Sequence, residues 1–63
     1  MDTIRVKLAL GRETKGAVRF EEVDDNGNPI DIPRAKIGTI YIRKTTIKPP
    51  YPTRITVIIT EGQ

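Results

Sequence analysis

The chain of 63 residues is long enough for one small domain, and it contains neither cysteine nor histidine. Disulfide bonds are therefore excluded and structural zinc is not expected, so the domain must rely on packing or on association with another chain. The formal net charge of +3 is mild and indicates only a weak general attraction to anions. Ten isoleucines, eight threonines and four valines favour pleated strands over helices, which predicts one all-β domain over residues 1–63.

The first half of the chain predicts a hairpin. Apolar and polar residues alternate over 3–10, and this period of two is typical of a half-buried strand. The segment "GRETKG" at 11–16 has two glycines and predicts a loop, after which the chain returns through Val18 and Phe20. Because Val23 falls on the opposite parity, we predict a β-bulge at positions 21–22.

A second hairpin is predicted at "DDNGNP". The pair Asn26-Gly27 is typical of a two-residue turn, which would place Val23 opposite Ile30. A short third strand over about 28–32 would then end at a proline. The following "PRAKIG" is too short for an independent helix but has room for one helical turn.

The last part of the chain predicts two more strands, at about 37–44 and 53–60, joined by the stiff segment "IKPPYP". Five short antiparallel strands predict a small SH3-like or OB-like barrel. The alternative is a sheet that dimerises face to face, because apolar side chains gathered on one face need a cover. The predicted apolar set is Ile4, Val6, Leu8, Leu10, Val18, Phe20, Ile40, Ile42, Ile55, Val57 and Ile59.

The opposite face of the predicted sheet is cationic and has one aromatic ring. Five cations and a tyrosine on such a surface indicate nucleic-acid binding, with the cations on phosphates and the ring stacked on a base. The alternative is an ordinary solvated face, on which Tyr41 packs across strands. The candidate nucleic-acid-binding residues are Arg5, Lys7, Arg19, Tyr41, Arg43 and Arg54.

Other motifs favour structure over chemistry. "GRETKG" lacks the Lys-Ser/Thr and the helix of a phosphate-binding P-loop, and "DDNGNPID" has Pro29 where a calcium loop requires glycine. The P-x-x-P pattern from Pro49 to Pro52 favours a rigid connector over a ligand of an SH3 domain. Serine, cysteine and histidine are all absent, so we predict no enzyme and no cofactor, metal or small-molecule substrate.

Two resemblances bear on this interpretation. The segments "RETKGAVRF", "IYIRKT" and "ITVIITEG" resemble a loose group of short, uncharacterised bacterial and mobile-element proteins, which implies a single β domain and provides no known activity to carry over. The segment "VDDNGNPIDIP" at 23–33 is similar to swapped-hairpin transcription regulators of the AbrB type, which implies a DNA-binding dimer. In those regulators a helix follows the proline, whereas here "RAKIG" leads towards a strand.

The sequence therefore predicts a small non-enzymatic module that binds DNA or RNA, single-stranded or double-stranded, through the basic face of its sheet. The alternative is a structural or protein-interaction subunit that assembles through sheet faces or edge strands, for example as a homodimer. The chain has no membrane-spanning stretch and no signal-peptide pattern, so a cytoplasmic location is expected.

Overall fold

The computed structural model describes residues 3–62 and consists of one antiparallel sheet. The strands are β1 (Ile4–Glu13), β2 (Ala17–Glu22), β3 (Thr39–Arg43) and β4 (Arg54–Ile59), with a 3-10 turn at Ile32–Arg34. The spatial order is β3-β2-β1-β4, and the sheet curls into a half-barrel with β3 and β4 at its edges. The all-β prediction is confirmed, whereas five strands and a closed barrel are not.

The apolar side chains collect on one face of this sheet, as their alternation predicts. Val6, Leu8, Val18 and Phe20 form its buried core. Their cross-strand neighbours are isoleucines and valines of β3 and β4, which are only partly buried because they lie at the edges. We call this side the apolar face and the opposite side the polar face. Burial of each large side chain contributes about 1.5–3 kcal/mol, so these contacts are the main stabilising term.

A β-bulge interrupts β1. Leu10 lies opposite Phe20 and Arg12 opposite Arg19, so Gly11 is the extra residue. A Cβ atom at Gly11 would lie 3.3 Å from the carbonyl oxygen of Arg19, closer than most real contacts. The predicted loop at 11–16 is therefore wrong over its first half: β1 continues through the bulge and the chain reverses at 14–16.

The prediction of a bulge at positions 21–22 is wrong, because β2 keeps its regular alternation through Glu22. This alternation places the carboxylate of Glu22 on the apolar face, where only 5% of the residue is exposed. Its Oε1 atom accepts hydrogen bonds from the backbone N–H groups of Lys36, Ile37 and Gly38 at 2.9, 2.7 and 3.0 Å. An apolar residue could not satisfy these three donors, so a carboxylate occupies a position that the sequence pattern assigns to a hydrophobic residue.

The predicted third strand is absent from the described residues. A single antiparallel bridge joins Val23 to Pro29 instead, one residue away from the predicted pairing with Ile30. The turn over 24–28, which we call the acidic turn, is closed by Asp24, whose Oδ1 accepts the N–H groups of Asn26 and Asn28 at 2.9 Å each. The side chain of Asp24 thus shapes this turn, and the register differs by one residue from that of an Asn-Gly hairpin.

The segment 44–53 joins β3 to β4 and therefore connects the two opposite edges of the sheet. Ile47 and Tyr51 of this connector pack against the core on the apolar face. Three prolines, at positions 49, 50 and 52, lie in this connector and restrict its backbone, as expected for a stiff segment. Within residues 3–62, no helix is long and apolar enough to cross a membrane.

Candidate functional site

All six candidate residues lie on the polar face. Arg19 of β2 is opposite Tyr41 of β3, and Arg43 follows two residues further along the same strand. On the same face, towards the β4 edge of the sheet, Arg5 and Lys7 of β1 alternate with the core residues, and Arg54 of β4 lies opposite Ala9. The structure therefore brings together on one surface the residues that the sequence pattern assigned to it.

The structure adds a cation that the sequence analysis missed. Arg12 shares the parity of the core residues in the sequence, but the bulge at Gly11 moves it to the polar face, where it lies opposite Arg19. Arg12, Arg19 and Tyr41 therefore form one row across three strands, about 4.8 Å apart from strand to strand. A glycine inside a strand pattern is the signal that points to such a bulge.

We call Arg12, Arg19, Tyr41 and Arg43 the open half of the polar face. Tyr41 is 61% exposed, so its ring is accessible from solvent. A guanidinium N–H of Arg19 donates a short hydrogen bond to Glu21, and the Nε atom of Arg19 is buried without a hydrogen-bond partner among the described residues. Within residues 3–62, no carboxylate forms an ion pair with Arg12 or Arg43. Within the described residues, Arg12 and Arg43 are thus available to an external anion.

The remaining part of the polar face is partly covered by the acidic turn. The ammonium group of Lys7 lies 3.2 Å from the carboxylate of Asp25. Gly27, at φ 87°, packs so closely on the guanidinium of Arg54 that a side chain at this position would collide with it. Asp25 therefore brings a carboxylate onto the basic face. We call Lys7 and Arg54 the covered half.

A groove of about 480 Å³ lies beside the acidic turn. Apolar atoms of Val23 and Ile30 form part of its lining, and Asp24 and Asp25 contribute the acidic turn's own carboxylates. Its cations come from both β1 and the 3-10 region: Arg5, Lys7, Arg34 and Lys36. The carboxylate of Glu22 also belongs to the lining, so four cations stand against three carboxylates and the groove has only a small net positive charge.

A second polar cluster lies at the end of β1 beyond the bulge. The ammonium group of Lys44 contacts Oε1 of Glu13 at 2.7 Å, and the hydroxyl of Tyr51 lies 3.5 Å from the same oxygen. The hydrogen bond from Lys44 lowers the pKa of Glu13, and the same bond raises the pKa of Lys44. Both groups are charged at neutral pH and neutralise each other, so this cluster links the connector to the sheet and leaves the open half unchanged.

The chemistry that this arrangement supports is the binding of a polyanion. Cations and an accessible ring share one surface. Among the described residues, the carboxylates with a lowered pKa are Glu13 and Glu22, and both have structural partners in the fold. No family, no curated protein and no solved structure matches this chain.

Proposed function

We propose that this protein is a non-enzymatic module that binds single-stranded nucleic acid through the open half of its polar face. Arg12 and Arg43 contact phosphates, and Tyr41 stacks on a base. The observation that supports this proposal is that an exposed aromatic ring shares one surface with Arg12 and Arg43, which have no carboxylate partner within residues 3–62. Base stacking requires an unpaired base, which favours a single strand over a duplex.

The spacing of the open half suits a flexible strand. Arg43 and Tyr41 are two residues apart on β3, which separates them by about 7 Å, while Arg12 lies two strands from Tyr41, at about 10 Å. One contact along β3 and one across the sheet can therefore hold the backbone while the base lies on Tyr41. Arg5, Arg34 and Lys36 in the neighbouring groove provide further contacts for a longer strand.

A salt series tests the proposal. Fluorescence anisotropy with a labelled oligothymidine and with a duplex of the same length should show log K falling linearly with log salt concentration. Three or four phosphate contacts give a slope of about −2 to −3 for a single strand, because each contact releases a condensed counterion. Absence of binding to either oligonucleotide near about 20 mM salt would reject the function. Tighter binding of the duplex would reject the stacking role of Tyr41.

The acidic turn is expected to compete with the nucleic acid for the covered half. Asp25→Asn removes the carboxylate beside Lys7 while the amide keeps a similar shape. We expect affinity at low salt to rise by about two- to fivefold, which is the scale of one exposed ion pair. Asp31→Asn is the matched control, because it changes the net charge equally and Asp31 is an exposed carboxylate outside the acidic turn. Equal gains in both variants would show that only net charge matters.

A structural or protein-interaction subunit is the second candidate function. It is favoured by β4, an apolar strand at the edge of the sheet. If the protein has this function, the polar face is only a solvated surface. We then expect no binding in the oligonucleotide titration and a dimer or larger assembly of the chain in solution. A cytoplasmic location stays a prediction from the sequence.

A further inference from the structure

We infer that β4 pairs with β4 of a second copy of this chain, which extends the sheet from four strands to eight. The starting observation is that β4 lies at the edge of the sheet and its register with β1 is continuous from Ile59 to Arg54. Natural proteins protect an exposed edge strand with prolines, bulges or charged residues. β4 has no proline and no bulge, and its single charge is at its first residue.

The free hydrogen-bonding groups of β4 can be assigned. The N–H of Leu10 donates to the carbonyl of Thr53 at 2.8 Å, so these two residues form a hydrogen-bonded pair. Such pairs alternate along an antiparallel ladder, which directs the backbone groups of Arg54, Thr56 and Ile58 away from β1 and towards solvent. Ile58 is also 55% exposed, so both apolar surface and polar backbone are unpartnered at this edge within the described chain.

The other surfaces are less suitable for a second copy. The apolar face would accept a copy face to face only if Ile47 and Tyr51 of the connector left the core. The edge formed by β3 has five residues and ends in Arg43, so a second strand there would lie beside a cation of the open half. The edge of β4 is one residue longer, and its one charge is at its first residue.

A two-fold axis through Val57 gives a self-complementary register. Residues directly opposite in an antiparallel pair share a face, so Ile55 lies opposite Ile59 of the second copy and Val57 lies opposite its equivalent. On the polar face, Arg54 lies opposite Thr60 of the second copy, so no two like charges are directly opposed. The partly buried isoleucines of β4 gain a cross-strand neighbour, and the outward backbone groups of Thr56 and Ile58 gain hydrogen bonds.

This assembly has a consequence for binding, which rests on the proposed function. Both polar faces lie on the same side of an eight-stranded sheet because the axis is perpendicular to the sheet. The open halves then lie at the two outer ends, and the two copies of β4 at the centre. One long single strand that contacts both open halves would bind more tightly than a short one, since the second contact is intramolecular.

The oligomeric state tests the inference without nucleic acid. Light scattering coupled to size-exclusion chromatography should give twice the chain mass for the wild type at high micromolar concentration. Thr56→Pro removes an outward N–H and leaves the ladder with β1 intact, so this variant should elute at the mass of one chain while keeping its β-sheet circular dichroism. A wild type that stays at the mass of one chain, or a dimer that persists in Thr56→Pro, would overturn the inference.

Cross-linking gives a second measurement that does not depend on whether the proline variant folds. The chain has no cysteine, so Val57→Cys introduces a single thiol. At the axis the two Cα atoms would be about 4.5–5.5 Å apart, within the range for a disulfide. We expect mild oxidation to give a disulfide-linked dimer at least tenfold faster than in Thr45→Cys, an exposed position after β3. Equal rates in the two variants would contradict pairing through β4.

Discussion

Replacing Arg12 and Arg43 together with glutamate should weaken binding to single-stranded oligonucleotides by about 100-fold at low salt. Each arginine loses a charge-assisted contact with phosphate, and each new carboxylate repels the strand. Both side chains lie on the polar face without a carboxylate partner within residues 3–62, so their replacement breaks no ion pair of the described fold. The dissociation constants are measured by fluorescence anisotropy at constant ionic strength.

The size of this effect must be separated from the change in net charge. Lys48→Glu changes the charge by the same amount as Arg43→Glu, at an exposed position in the connector. We expect Arg43→Glu to weaken binding about tenfold and Lys48→Glu less than about threefold, because salt screens charges that lie away from the contact. Similar losses in the two variants would show that binding is non-specific and would remove the open half as the site.

Tyr41→Ala tests the ring without a change in charge. Removal of a stacked base contact costs about 1–3 kcal/mol, so affinity for a single strand should fall about tenfold and the salt slope should stay constant. Tyr41 is 61% exposed, so the variant should keep the circular dichroism of the wild type. Unchanged affinity in Tyr41→Ala would favour a role for Tyr41 in packing across the strands.

Glu22 is expected to have the largest effect on stability. Glu22→Leu leaves the N–H groups of residues 36–38, of which that of Gly38 is buried, without their acceptor and should lower the free energy of unfolding by about 3 kcal/mol. Glu22→Gln keeps one oxygen, which can take the place of Oε1, so the loss should be about 1–2 kcal/mol. Each kcal/mol lowers the melting temperature of a domain of this size by about 4–8 °C.

The pH dependence of Glu22 distinguishes the charge from the shape of the side chain. Burial of Glu22 opposes ionisation, but the N–H groups of Ile37, Gly38 and Lys36 outweigh this effect and lower its pKa below the ordinary value of 4.5. Stability from such a group is fully present above the unfolded pKa and is lost as pH falls through the folded pKa. The difference in melting temperature between wild type and Glu22→Gln should therefore be constant near neutral pH and shrink below about pH 4.5.

Thermal denaturation followed by circular dichroism at several pH values measures both effects. Glu21→Gln is a suitable comparison, because Glu21 is the adjacent glutamate and lies on the opposite, polar face. If Glu22→Leu were as stable as the wild type, the hydrogen bonds to residues 36–38 would have no role in stability. If Glu22→Gln and wild type differed equally at all pH values, the charge of Glu22 would not contribute.

The sequence by itself determined which side chains share a face. Side chains alternate strictly along a strand, so the positions of Arg5, Lys7 and Arg19 follow from those of the apolar residues between them. The same period identified β3, β4 and most of β1 and β2, because each contains at least two apolar residues in phase. This part of the fold depends on local geometry alone, and it includes all six candidate residues.

Only the tertiary structure decided the features that depend on contacts between distant segments. The bulge at Gly11 is set by pairing with β2, and it brings Arg12 into the site. Glu22 is buried because donors 14 to 16 residues away satisfy it, and the acidic turn lies on Lys7 and Arg54 because the chain folds back there. A periodic pattern records which face a residue occupies, whereas the register and the partners of its polar atoms are fixed only when the strands and loops meet.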